Sequence, residues 1–317
     1  RMSRGLGDVY KRQVHSRYSL DNYDDPFDFI GSVFGGGALA VMIIFCIIFG
    51  LLFVFAPLII VFLVIRYLIR RHNDRMKLAE MAMEKGINVI CEKPISLKRE
   101  DVQRVYSTAK KNNVCFMVAQ VLRFWPEYEV VKNIYDSGKY GKLLSASMHR
   151  LSGIPKWSWD DWMRDEKRSG LVPFDLHIHD LDFIVYAFGK PEKCTARRVK
   201  RPEQDYIAAT YDFGDFRIST EAAWFAGCYP FSARFLFQFE GAVVTWENDE
   251  MTVYEADDTK FCPISQDGGD TGDIGLPKSN AYANEIRYFA DCVKSGVFPD
   301  KVKPEELETV IDLLKSL

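Results

Sequence analysis

The sequence predicts an α/β segment with an incomplete parallel sheet, then an α+β segment built on an open mixed or antiparallel sheet, with one transmembrane helix ahead of both. Three observations carry that class. Residues 38–65 hold no charged side chain. Between residues 71 and 137, helical stretches alternate with two short apolar runs, the rhythm of a parallel sheet covered by helices. Beyond residue 142, strand-like runs follow one another with turn signals and few helices between them, as antiparallel or mixed sheets require. The organisation that follows is an unstructured leader at 1–37, a membrane helix at 38–65, half of a parallel α/β domain at 66–141 and an open-sheet domain at 142–317. The last helix is free to pack back on the α/β part.

The 317 residues are long enough to bury an ample core, and a formal net charge of −3 gives no reason to expect nucleic-acid binding. Seven cysteines, Cys46, Cys91, Cys115, Cys194, Cys228, Cys262 and Cys292, are odd in number, widely spaced and form no Cys-x-x-Cys. That usage argues for reduced thiols facing a cytosol rather than a disulfide framework.

Residues 1–13 are basic and patternless and read as translated adapter sequence. An acidic, aromatic stretch with Asp21, Asp24, Asp25 and Asp28 follows. As a helix, residues 38–65 would extend about 42 Å, against roughly 30 Å of hydrocarbon core, so they reach across with tilt. Arg66, Arg70, Arg71, Arg75 and Lys77 come next, which places the C-terminal part on the cytoplasmic side. Gly35-Gly-Gly-Ala-Leu-Ala40 nominally fits a dinucleotide fingerprint. It is rejected because no strand precedes it and a membrane-type run follows.

Residues 71–85 form a charged helix stopped by Gly86. Residues 88–91 are a short apolar strand leading into Glu92-Lys93-Pro94. Ser96 is placed to cap a helix that reaches Lys111. Residues 114–119 suit a strand buried on both faces. Residues 120–126 make a loop carrying Arg123, and a helix then runs to Ser137, before Gly138. Residues 143–150 are a strand, after which Trp157, Trp159 and Trp162 stand among Asp160, Asp161, Arg164 and Asp165. Further strands are expected at 193–199, 206–212, 217–224, 231–239, 242–247 and 251–255, with Gly214 and Gly241 at turns. Residues 257–278 are a polar loop, whose 267–273 stretch lacks the ligand spacing of a calcium loop. Helices at 281–294 and 304–315 close the chain.

The chemistry concentrates in Asp175-Leu-His-Ile-His-Asp-Leu-Asp182, which holds two of the five histidines. An apolar run to Phe188, closed by Gly189 and Pro191, makes it a helix with a polar first half. At helical spacing Asp175, His179 and Asp182 fall within about 60° on one face, and His177 points away. Three readings of that face stay open. A histidine beside a carboxylate gains proton affinity and suits acid–base work. The same pair could hold a metal, although no second Cys/His cluster stands nearby. Or the aspartates merely suit a helix start.

Two motifs now stand in order: Glu92-Lys93-Pro94 at a strand end, and Asp175…His179…Asp182 at a helix start. With the stretches 82–94, 137–142 and 282–292, they resemble the Gfo/Idh/MocA family, the relatives of glucose–fructose oxidoreductase and inositol dehydrogenase, over about residues 81–317. The resemblance implies a Rossmann domain followed by an open-sheet substrate domain. It implies hydride transfer between NAD or NADP and a hydroxyl-bearing carbon of a sugar or cyclitol. Carried over, Lys93, Asp175 and His179 are catalytic: Lys93 reaches the reacting hydroxyl, Asp175 holds a substrate hydroxyl and His179 moves the proton. Glu92, Lys93, Pro94 and Arg123 would contact cofactor, with a surface salt bridge as the other reading of Arg123. Trp162, Asp175, His177 and Tyr282 would contact substrate. No metal is implied, and homo-oligomers through the open sheet are.

The sequence departs from the family pattern in two places. Leu171 follows Gly170 where Gly-Gly is usual, and His177 replaces an inner glycine; this leaves the substrate class open and gives His177 a route to substrate. The first half of the Rossmann domain is expected before Met81, where the membrane segment stands instead. The reading is therefore a truncated cofactor site and a chimera joined at 79–86. The alternative is a non-enzymatic, membrane-tethered sugar-binding or scaffold protein made by gene fusion. The family part is expected in the cytoplasm, and membrane-anchored if the segment is genuine.

Overall fold

The computed structural model describes residues 75–264 and 280–317. The expected membrane span at 38–65, the leader and most of the 257–278 loop lie outside them. Among the described residues, no helix is long and apolar enough to cross a membrane. The described residues belong to one compact unit.

The α/β part opens with α1 (Arg75–Met83), which buries Met76, Ala79 and Met83. Gly86, at φ +76°, turns the chain into β1 (Val89–Glu92). Next come α2 (Arg99–Lys111) and β2 (Phe116–Ala119). β1 and β2 pair in parallel, Val89 opposite Phe116 and Glu92 opposite Ala119. All four side chains of β2 are buried, so it packs on both faces as a crossover-connected strand must. Ser96 does not cap α2. The N-cap is Lys98 with no side-chain hydrogen bond, because the Ser96 hydroxyl accepts from the Lys98 amide at 3.0 Å and donates to Asp101. That turn delays the helix to Arg99.

The segment after β2 is not a plain loop: Val121–Phe124 forms a 3₁₀ turn. α3 (Pro126–Ser137) follows, with proline in the first turn and left-handed Gly138 ending it. β3 (Leu143–Gly153) then enters the large sheet and is longer than expected. After it come a short helix, α4 (Glu166–Ser169), one π-type turn (Pro173–His177) and α5 (Ile178–Phe188).

The remaining strands are β4 (Lys193–Arg201), β5 (Gln204–Asp212), β6 (Arg217–Phe225), β7 (Ser232–Phe239), β8 (Ala242–Glu247), β9 (Glu250–Glu255) and the two-residue β10 (Lys260–Phe261). Their order is β10-β9-β8-β7-β3-β6-β5-β4. All pairs are antiparallel except β3 with β6. The expected open mixed sheet is what forms. β3 is central because the only parallel pairing in this sheet needs a long connection, and residues 154–216 supply it.

One face of the sheet carries Met148, Arg150, Phe235, Phe237, Val244 and Trp246, and α5 and α3 cover it. Tyr128 of α3 sits at the centre, with ring centroids 4.8 Å from Phe183 and 5.1 Å from Phe235. The last two helices, α6 (Ala281–Ser295) and α7 (Pro304–Ser316), return to the α/β part. α7 packs on both α2 and α5, and Arg99 of α2 reaches Glu308 at 3.0 Å. One core therefore serves both parts.

Candidate active site

The carboxyl ends of β1 and β2 face the π turn and the start of α5. β1 runs directly into Glu92-Lys93-Pro94, and the Lys93–Pro94 bond is cis. The Lys93 ammonium donates to the Asp175 carbonyl oxygen at 2.6 Å and to Asp175 Oδ1 at 3.3 Å. Two residues 82 positions apart in sequence thus meet, and both are only partly exposed, at 14% and 22%. Burial lowers the Lys93 pKa, and Asp175 offsets part of that. Arg75 donates to the Lys93 carbonyl at 2.8 Å and lies over the Trp162 ring, 5.4 Å from its centroid. Trp162 is thereby tied to the same strand end.

His179 stands one turn after Asp175. Its Nδ1 is buried with no hydrogen-bond partner. The expectation that a carboxylate would raise its proton affinity is reversed. Its pKa is pushed well below the ordinary histidine value, by burial first and then by the positive charges of Lys93 and Arg150. The physical reason is that each nearby aspartate already has its own cation. Asp175 holds Lys93, Asp180 holds Arg150 at 2.8 Å, and Asp182 holds Arg123 at 2.7 Å. The π turn also changes the angular step before Ile178, so the simple shared face does not survive as one cluster.

Arg123 is neither a surface ion pair nor open to a ligand. Its side chain has no exposed surface. Nε and Nη2 grip both oxygens of Asp182 at 2.8 and 2.7 Å, and Nη1 donates to the Lys301 carbonyl and to Glu306. It locks the 3₁₀ turn, α5 and α7 together. His177 is also withdrawn from substrate. Its ring is fully buried against the sheet, where Nε2 shares a 2.6 Å hydrogen bond with the Tyr211 hydroxyl. Burial carries its pKa to about 4.

Tyr282, at the start of α6, is 36% exposed. Its pKa is raised by burial first and then by the charges of Glu92 and Glu285. The sequence reading missed three polar residues here. Arg150 occupies the apolar phase of β3, in step with Ala146 and Met148, and that position was its readable signal. Gln120 and Glu285 are buried beyond the end of β2, each with an Oε1 that has no partner. Glu285 lies on the buried stripe of α6 with Ala281. Burial, reinforced by the Glu92 charge, raises its pKa to about 8.

Glu285 makes a pH-dependent contribution to stability. Its unfolded carboxyl titrates near 4.5 and the folded one near 8. Between those values folding takes up a proton, so stability falls as pH rises through the window and levels off above it. Glu285→Gln is expected to flatten that decline, by roughly a few kcal/mol across the window. Urea midpoints of both proteins at a series of pH values check this; parallel curves would refute it.

Residues 128–259 match the GFO/IDH/MocA C-terminal domain. This domain belongs to the Gfo/Idh/MocA family. A second family model, a domain of unknown function (DUF6249), matches residues 44–110. The matched span includes 79–86, and it gives the expected chimeric join no support. The 2,7-anhydro-N-acetylneuraminate hydratase of Mediterraneibacter gnavus is 31% identical over 115 residues, 36% of this chain and 30% of that protein. The trans-1,2-dihydrobenzene-1,2-diol dehydrogenase of Mus musculus is 29% identical over 137 residues, 42% of this chain and 39% of that protein. The alignments thus span about a third of the length of these curated relatives. Among solved structures, a levoglucosan dehydrogenase in complex with NADH and levoglucosan superposes with a TM-score of 0.63 at 18% identity. That superposition covers 76% of this chain and 73% of the other. It shows that the two chains share a fold over that span.

Proposed function

We propose that this chain carries the substrate half of an oxidoreductase that moves a hydride between NAD or NADP and a hydroxyl-bearing carbon of a sugar or cyclitol. The observation that carries the reading is the Lys93–Asp175 contact beside His179, at the carboxyl ends of two parallel strands. Ligands in open α/β sheets bind there.

The residues present fit the nicotinamide end of a cofactor. Glu92 and Tyr282 are polar groups near that strand end, and the buried Oε1 atoms of Gln120 and Glu285 have no hydrogen-bond partner. Among the described residues, no strand runs through a glycine-rich turn into a helix, the usual pyrophosphate cradle. Gly35 to Gly37 fall outside them. When bound, the nicotinamide supplies the hydride acceptor.

The chain's own residues handle the proton and the oxygen. His179, kept neutral by burial first and then by Lys93 and Arg150, is the group that accepts the hydroxyl proton. The Lys93 ammonium stabilises negative charge growing on that oxygen. Asp175 orients Lys93 and is left with carboxylate capacity for a substrate hydroxyl.

Fluorescence titration of the full chain with NADH and NADPH tests the reading. A truncated cradle predicts saturation only at high cofactor concentration, and Lys93→Ala should abolish it. Tight binding would overturn the truncation. No saturable signal with either cofactor would overturn the oxidoreductase reading.

A further inference from the structure

Arg75, the first residue of α1, reaches across to the strand end that carries Lys93. Its Nη1 donates to the Lys93 carbonyl oxygen at 2.8 Å and to the Pro94 carbonyl oxygen at 3.4 Å. The ladder between β1 and β2 ends at Glu92, paired with Ala119. Lys93 is therefore the first residue past the ladder, and its carbonyl needs another donor. β1 is also held along one edge only: among the described residues it pairs with β2 alone. The Arg75 guanidinium supplies the hold that a neighbouring strand would otherwise give.

That guanidinium is fixed on its other side as well. Its central carbon lies 5.4 Å from the Trp162 ring centroid, within the range where an aromatic face attracts a cation. Trp162 packs against a buried cluster that includes Leu171, Val172 and Leu176. Those residues flank Asp175 in and beside the π-type turn. Asp175 in turn accepts from the Lys93 ammonium, through its carbonyl oxygen at 2.6 Å and its carboxylate at 3.3 Å. The contacts close a ring: the Lys93 backbone, Arg75, Trp162, the segment bearing Asp175, and the Lys93 ammonium. A lysine stem is flexible. Tying both its backbone and its head group to one packed body leaves it few rotamers.

We propose that Arg75 is a positioning residue: it braces the end of β1 against Trp162 and so keeps the Lys93 ammonium on Asp175. Its bearing on hydride transfer rests on the oxidoreductase reading above.

Competitive labelling of the full chain with trace acetic anhydride over a series of pH values, read on the Lys93 peptide by mass spectrometry, tests this without cofactor or substrate. Burial keeps the wild-type Lys93 pKa below the ordinary lysine value. In Arg75→Met the released ammonium regains water, so the labelling inflection should rise toward about 10.4. Arg75→Lys, which keeps a donor and a charge, should recover part of that change. Trp162→Leu, which leaves Arg75 in place, should move the inflection the same way by less. Labelling of Lys301, held by Glu129, should be the same in all variants. An unchanged Lys93 inflection in folded Arg75→Met, or in Trp162→Leu where Arg75→Met does not fold, would overturn the brace. So would an equal change at Lys301, the mark of general loosening. A failed NADH titration would remove the oxidoreductase reading and leave the hold of Arg75 on Lys93 standing.

Discussion

Under the oxidoreductase function proposed above, replacing His179 with alanine is expected to lower turnover of a sugar or cyclitol by about 10²- to 10⁴-fold, the range of a positioned acid–base group. The fold should be unchanged, since the ring is partly exposed and makes no hydrogen bond through its buried Nδ1. The electrostatics add a sharper expectation. Burial, Lys93 and Arg150 hold the imidazole neutral well below the ordinary histidine pKa. Wild-type kcat/KM should therefore stay level as pH falls through the usual histidine range. An activity loss centred near pH 6.5, the reference value for histidine, would mean that burial and the two cations do not hold the ring neutral as described. Unchanged activity in His179→Ala would remove it from the chemistry.

Asp182→Ala should be the most destabilising single change at this site. It leaves the Arg123 guanidinium, which has no exposed surface, without its two-point partner and with Glu306 as its only remaining carboxylate. Removing one member of a buried pair costs about 3–5 kcal/mol. Urea denaturation of wild type and variant reads this directly. The double change Arg123→Met with Asp182→Leu should lose less than Asp182→Ala alone, because no buried charge remains uncompensated. A loss below about 1 kcal/mol for Asp182→Ala would place the pair among ordinary surface ion pairs, against its burial.

Much of the architecture was legible because it rests on local pattern. The buried run ending at Ala119, the proline-started helix ending before Gly138 and the succession of strands from Lys193 to Glu255 all appear near their expected bounds. Misses came where a side chain chose a partner that the pattern does not encode. Ser96 bonds within a turn and does not cap. The 3₁₀ turn at Val121–Phe124 exists because its arginine is drawn into a buried network from α5 and α7.

By itself, the sequence determined the order of the described elements, a pair of parallel strands followed by an open mixed sheet, and the two motifs that meet in space. Periodicity, turn residues and strand-end motifs are short-range properties, and one chain contains them in full. Only the tertiary structure decided which charge answers which. It assigned Asp175 to Lys93, Asp180 to Arg150 and Asp182 to Arg123, turned His177 into the sheet and left His179 neutral, by burial first and then by the charges of Lys93 and Arg150. Charge pairing and desolvation act through space over a few ångströms, and residues that far apart here are separated by 30 to 82 positions along the chain.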